Sequence, residues 1–167
     1  MILARAPHQL IENTRLRISL TLIAVLTLAS TVGAAVLAPD KASDRRTLTN
    51  TGAICPGTSS AQAVDQQQNP DGTIAPFSIP AGSVLVITSY SFAISTSPGS
   101  STENVGLLAT NGTTVSGLTQ CFAVTDAAGH AGASCTTPAG IAVKGGSTLC
   151  VSRPSRVFVN GFLANDK

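Results

Sequence analysis

A chain of 167 residues with 11% charged residues, 4% aromatic residues, no tryptophan and a formal net charge of +2 is long enough for one independent core. It lacks the basic stripe and interleaved aromatics that give nucleic-acid binders their electrostatic affinity. That surplus lies near the start: beyond residue 35, Asp40, Asp44, Asp65, Asp71, Glu103, Asp126 and Asp166 balance Lys41, Arg45, Arg46, Lys144, Arg153, Arg156 and Lys167, seven against seven. A nucleic-acid partner is therefore excluded, and solubility falls to the uncharged Ser, Thr, Gly, Asn and Gln crowding Thr47 to Asn111.

Arg5, Arg15 and Arg17 run into the apolar block Ile18 to Leu28 and then Ser30-Thr31-Val32-Gly33-Ala34-Ala35. This is the order of a secretory signal, with small residues that a signal peptidase can read and a mature start near Ala35 or Val36. Residues 1–35 are accordingly expected to be a signal peptide of helical character. If it stays uncleaved, residues 18–37 approach the roughly 20 apolar residues of a membrane span and would tether the protein. No Arg-Arg pair precedes the block, and no cysteine follows it closely enough for lipidation. The expected location is secreted, periplasmic or at the cell surface.

Residues 36–50 carry mixed charge without periodicity and read as a flexible linker, leaving 51–167 as the folded domain. Asn69-Pro70-Asp71-Gly72 marks a turn, because proline presets one φ and glycine accepts a positive φ. Thr73–Ile79 reads as a short edge strand, since Pro76 has no amide to donate. After the turn Pro80-Ala81-Gly82, Ser83–Ile94 is rich in β-branched and aromatic residues, and places Tyr90, Phe92 and Ile94 on one face. Val105–Ala109 and Val115–Val124 flank Asn111-Gly112, the pair that favours a type I′ hairpin. Strands at Gly132–Cys135, Ile141–Val143, Ser147–Val151 and Arg156–Leu163 complete the series. Seven to nine strands and no mature helix predict an all-β domain, an antiparallel β-sandwich or jelly-roll.

Four cysteines in an exported domain predict two disulfides. Cys121 and Cys135 flank the turn Asp126-Ala127-Ala128-Gly129 and are expected to pair locally, which leaves Cys55 with Cys150. Their spacings do not suit a metal site, so no metal is expected. Ile79-Pro80-Ala81-Gly82-Ser83-Val84-Leu85-Val86 is echoed by Val143-Lys144-Gly145-Gly146-Ser147-Thr148-Leu149-Cys150-Val151 as a shared way of entering a strand.

Phe77-Ser78-Ile79-Pro80-Ala81-Gly82-Ser83-Val84-Leu85-Val86-Ile87, together with Val157-Phe158-Val159-Asn160-Gly161-Phe162-Leu163, resembles small uncharacterised exported bacterial proteins. Those carry a V-P-A-G-x-x-L-V-I opening strand and a closing V-x-G-Y-L strand. The resemblance implies a β-sandwich and assigns no residue a role.

For chemistry, the one histidine beyond the leader is His130 and the one glutamate there is Glu103. A hydrolytic triad would combine Asp126 and His130, which share a turn, with a serine such as Ser134, but no G-x-S-x-G elbow nominates the nucleophile. Glycoside hydrolysis would have to pair Glu103 with Asp71 or Asp126. Arg153 and Arg156 are candidates for an anion, Asn111-Gly112-Thr113 is a sequon, and the rings of Phe77, Tyr90, Phe92, Phe122, Phe158 and Phe162 are the only ones that could stack on a sugar, most of them assigned instead to the core by alternation. The chain thus reads as an exported, non-catalytic structural or binding module without a cofactor. A small secreted hydrolase using His130 and a membrane-tethered surface protein are the alternatives. These residues specify no ligand or partner.

Overall fold

The computed structural model describes Pro39 and residues 41–95, 98–153 and 155–166. The signal peptide, its helix, the cleavage site and the anchor read at residues 18–37 lie outside the described residues. Among those described, no helix is long and apolar enough to cross a membrane.

Ten strands are present among the described residues: β1 (Arg45–Thr49), β2 (Gln62–Ala63), β3 (Gln66–Gln68), β4 (Ile74–Pro76), β5 (Ser83–Ile94), β6 (Thr102–Thr110), β7 (Val115–Val124), β8 (Ala131–Lys144), β9 (Thr148–Val151) and β10 (Arg156–Asn165). They make two antiparallel sheets of a β-sandwich, six-stranded β4-β3-β1-β10-β5-β8 and four-stranded β2-β9-β6-β7. The all-β expectation holds, with more strands than the seven to nine expected. The domain also begins earlier than expected. Arg45–Thr49, assigned to the linker, is β1 and pairs with both β3 and β10. One apolar residue in that stretch, Leu48, is buried in the core; the strand is set by its two neighbours rather than by its own pattern.

β5 organises the core. Leu85 and Ile87 face inward, and so do Tyr90, Phe92 and Ile94. The change of parity occurs at Thr88, which is skipped in the register with β10, where Ile87 pairs with Gly161 and Ser89 with Asn160. Against β8 the same point is opposed by the bulge 137–140. The bulge is secured by Thr137 Oγ1, which donates to the Ile87 carbonyl at 2.6 Å. Gly161 is required here, because a Cβ would overlap the Val86 carbonyl oxygen. Before the bulge both parities are buried: Val84 and Val86 join Phe162 in a separate apolar cluster. Tyr90 ties the sheets together, its hydroxyl donating to the Val105 carbonyl of β6 at 3.1 Å, and burial pushes its pKa up to about 12.

Both expected disulfides are present, Cys55–Cys150 and Cys121–Cys135. The second does not close a hairpin, as expected from its turn. β7 pairs with β6 and β8 with β5, so Cys121–Cys135 joins the edge strands of two different sheets. Asn111-Gly112 does connect paired strands, but through the four-residue loop Asn111–Thr114 rather than a type I′ turn. Gly112 alone has positive φ there, and Asn111 Oδ1 accepts from the amides of Thr113 and Thr114 at 3.1 and 2.8 Å. The two echoing turns lie against each other: Gly145 N donates to Ser83 O and Gly146 N to Ile79 O.

Candidate functional site

Asp126 and His130 meet, as their shared turn predicts, in the connection between β7 and β8. Asp126 Oδ1 accepts the backbone amides of Ala128 and His130, both at 2.9 Å, and Gly129 at φ +83° lets the chain reverse. Asp126 Oδ2 lies 3.6 Å from His130 Nδ1, with side chains 58% and 61% exposed respectively. The amide bond from His130 is the chief cause that holds the Asp126 carboxyl below its usual range. This carboxylate is therefore engaged in shaping the turn. Ser134 stands four positions along the extended β8 from His130, about 13 Å at the rise of a strand and beyond hydrogen-bond reach.

The other carboxylates are scattered. Asp71 closes the β3–β4 turn, where Thr73 donates from its hydroxyl at 2.6 Å and its amide at 2.9 Å; the hydroxyl bond is the first cause that depresses its pKa. Glu103 belongs to the other sheet, on β6. It is 8% exposed in its side chain and forms an ion pair with Arg153, itself 45% exposed. Ser101 Oγ adds a 3.0 Å hydrogen bond to Glu103. The two arginines read as an anion pair are thus employed separately, since the Arg156 guanidinium lies 5.5 Å from the centre of the Phe158 ring. No group of three or more His, Cys, Asp or Glu converges among the described residues.

The rings divide. Tyr90 and Phe92 are core residues, Phe77 packs against that core, and Phe162 belongs to the separate buried cluster. Phe158 is half-buried. Phe122 departs from the core assignment, being 60% exposed. Its neighbour Cys121 points inward to the disulfide, so alternation turns Phe122 outward. Because Cys121-Phe122-Ala123-Val124 is apolar at both parities, the pattern alone does not reveal which side is buried.

Phe122 faces Asn104 across the β6–β7 pair, and Gln120 faces Gly106. Asn104, Gly106 and Gln120 line a depression of about 570 Å³ together with Leu108, Ser152 and Arg153, and Phe122 is not part of that lining. Its polar groups are already placed. Asn104 Nδ2 donates to Gln120 Oε1 at 3.0 Å, and Ser152 accepts the Gly106 amide through Oγ while donating its own amide to Gly106 O, both at 2.8 Å. Asn104 Oδ1 is buried with no hydrogen-bond partner among the described residues. Asn104, Gln120 and Ser152 were not singled out from the sequence, where polar residues alternating with apolar ones read simply as a strand's solvent face.

Comparison with family models, curated proteins and solved structures finds no match to this chain.

Proposed function

We propose that the protein acts outside the reducing cytoplasm as a non-catalytic binding module, using the depression on the outward face of the four-stranded sheet. The observation that carries this reading is the contrast between two polar groupings. Asp126 and His130 sit in open solvent with the carboxylate committed to backbone amides, whereas Asn104, Gln120, Ser152 and Arg153 converge on one concavity. Convergent polar groups around a partly apolar hollow suit ligand recognition. General acid–base work instead needs titratable groups held against a bound substrate. Two disulfides favour an oxidising compartment, where such bonds persist.

Cell fractionation with thiol counting tests the reading. The protein is expected in the exported fraction, lacking residues 1–35, with no thiol titrating until reductant is added. His130→Ala is expected to leave stability and ligand retention unchanged. Cytoplasmic accumulation with four free thiols refutes export, and an esterase or peptidase activity abolished by His130→Ala refutes the non-catalytic assignment.

A further inference from the structure

We infer that β7 is the docking edge for a second copy of this chain, joined antiparallel across a two-fold axis so that the two four-stranded sheets become one of eight strands; this goes beyond the binding-module reading and is independent of it. The sandwich has four strand edges, β4 and β8 in one sheet and β2 and β7 in the other, and three of them are blunted. β2 is two residues long, and β4 is three residues long and ends on Pro76. β8 carries the bulge 137–140, with Pro138 inside it and Lys144 at its end. Short length, proline, bulges and lysine are the devices that keep edges from pairing. β7, by contrast, is ten residues long without a charge or a proline. Its one irregularity is Leu118, which is skipped in the register with β6 and leaves residues 119–124 as a regular stretch.

Because β7 pairs with β6 alone, alternate residues along its other side present an amide and a carbonyl with no strand partner. The Cys121–Cys135 bridge ties this edge to β8 through side chains packed against the core and adds no ladder. It also fixes the edge before pairing, which lowers the ordering cost of association. The exposed apolar groups gather here. Val115, Phe122 and Val124 on β7 are 40%, 60% and 71% exposed; the other large hydrophobic side chains exposed among the described residues are Ile74 on β4 and Ile54 outside the named strands.

A second copy is the occupant because the edge matches itself. A two-fold axis normal to the sheet makes identical strands antiparallel. Placed at Ala123, it sets Phe122 opposite Val124 of the second copy on the outward face, once on each side of the axis, and aromatic–β-branched pairs of this kind stabilise a sheet. The same axis sets Gln120 opposite Asp126 of the second copy, so no like charges meet. Net charge does not oppose the encounter either, since acidic and basic residues beyond residue 35 are equal in number. A closed two-fold consumes both β7 edges and stops at two copies.

The oxidised exported protein is followed by sedimentation velocity from about 1 to 100 μM, with hydrogen exchange measured at both ends of that range. A monomer–dimer equilibrium is expected, with concentration-dependent protection confined to residues 119–124. Phe122→Lys and Val124→Lys are each expected to raise the dissociation constant about tenfold or more. Ile74→Lys makes the same charge change at an exposed residue of another edge and is expected to leave it unchanged. Thermal midpoints at the lowest concentration check that the variants fold, and exchange of the unsubstituted protein judges the edge without them. A monomer throughout the range overturns the inference. So does a dimer weakened equally by Ile74→Lys, a dimer that gains no protection along residues 119–124, or an assembly that grows past two copies.

Discussion

The two disulfides close loops of very different length, and removing them one at a time separates their contributions. Cys55 and Cys150 are 95 residues apart in sequence, Cys121 and Cys135 only 14. In the chain-entropy treatment a loop of the shorter kind is worth about 3 kcal/mol and one of the longer kind about 4.7 kcal/mol. Cys55→Ala/Cys150→Ala is therefore expected to lose about 1.7 kcal/mol more stability than Cys121→Ala/Cys135→Ala, from the logarithm of the loop-length ratio. Three of the four sulfurs are buried and Cys135 is half-buried, so the cavity left by each pair is similar and largely cancels in the difference. Urea unfolding of the oxidised variants followed by fluorescence of Tyr90 provides the assay, with the slope reporting how far the unfolded chain expands. Hydrogen exchange should show a second distinction. β7 and β8 share no ladder, so loss of Cys121–Cys135 is expected to raise exchange locally along these two edges. An equal or larger loss for the short loop, with no local change in exchange, would refute the idea that the long bridge acts through the unfolded chain and the short one through the seam.

Gly161→Ala is expected to cost about 1–3 kcal/mol as an overpacking defect, because a Cβ there would overlap the Val86 carbonyl. Gly72→Ala, with φ +84° but open space around it, should cost only the left-handed backbone penalty of about 1–2 kcal/mol; urea midpoints of the two variants test this ordering. Tyr90→Phe removes the hydroxyl bond to the Val105 carbonyl and is expected to cost about 1 kcal/mol. Burial raises the folded-state pKa of Tyr90 from 10 to about 12, so its contribution is intact below pH 10 and lost as pH rises toward 12. Tyr90→Phe should flatten that part of an alkaline stability curve. Asp71 and Asp126 have the opposite sign: their folded pKa values lie below 3.8. Their contributions are present above that value and lost as pH falls through the folded one. Asp71→Asn/Asp126→Asn should reduce the acid dependence of the urea midpoint between pH 5 and pH 2.

Wherever one side of a strand had to be apolar, the fold was legible from residue order. Ser83–Ile94 and Val115–Val124 were readable to the residue, because β-branched runs ended by Gly, Pro and Asn leave few alternatives. β1 was not readable. Arg46-Thr47-Leu48-Thr49 contains one core residue, and its place between β3 and β10 depends on partners far along the chain. The Thr88 bulge was hidden for a related reason. Val84-Leu85-Val86-Ile87 is apolar at both parities, so a slip of one position leaves no trace in the pattern until Tyr90, Phe92 and Ile94 are seen to face the same interior as Leu85 and Ile87.

The depression was illegible for a different physical reason. Inward positions are constrained by the core, so their chemistry reports their location. Outward positions are constrained only by solubility, and Asn, Gln and Ser satisfy that whether or not they bind anything. What distinguishes Asn104 and Gln120 from the other outward polar residues is relational: they bond across β6 and β7 beside an exposed ring and a glycine. A relation between positions 104 and 120 appears only once the Asn111–Thr114 loop fixes the register of these two strands. A one-residue slip there would turn Gln120 and Phe122 into the core and Cys121 away from Cys135. The disulfide and the depression therefore depend on the same register. A β6–β7 loop variant that shifts it, for example by deletion of Thr113, is expected to expose two thiols and to break the Asn104–Gln120 hydrogen bond together. Loss of one without the other would show that the outward face is not set by this register.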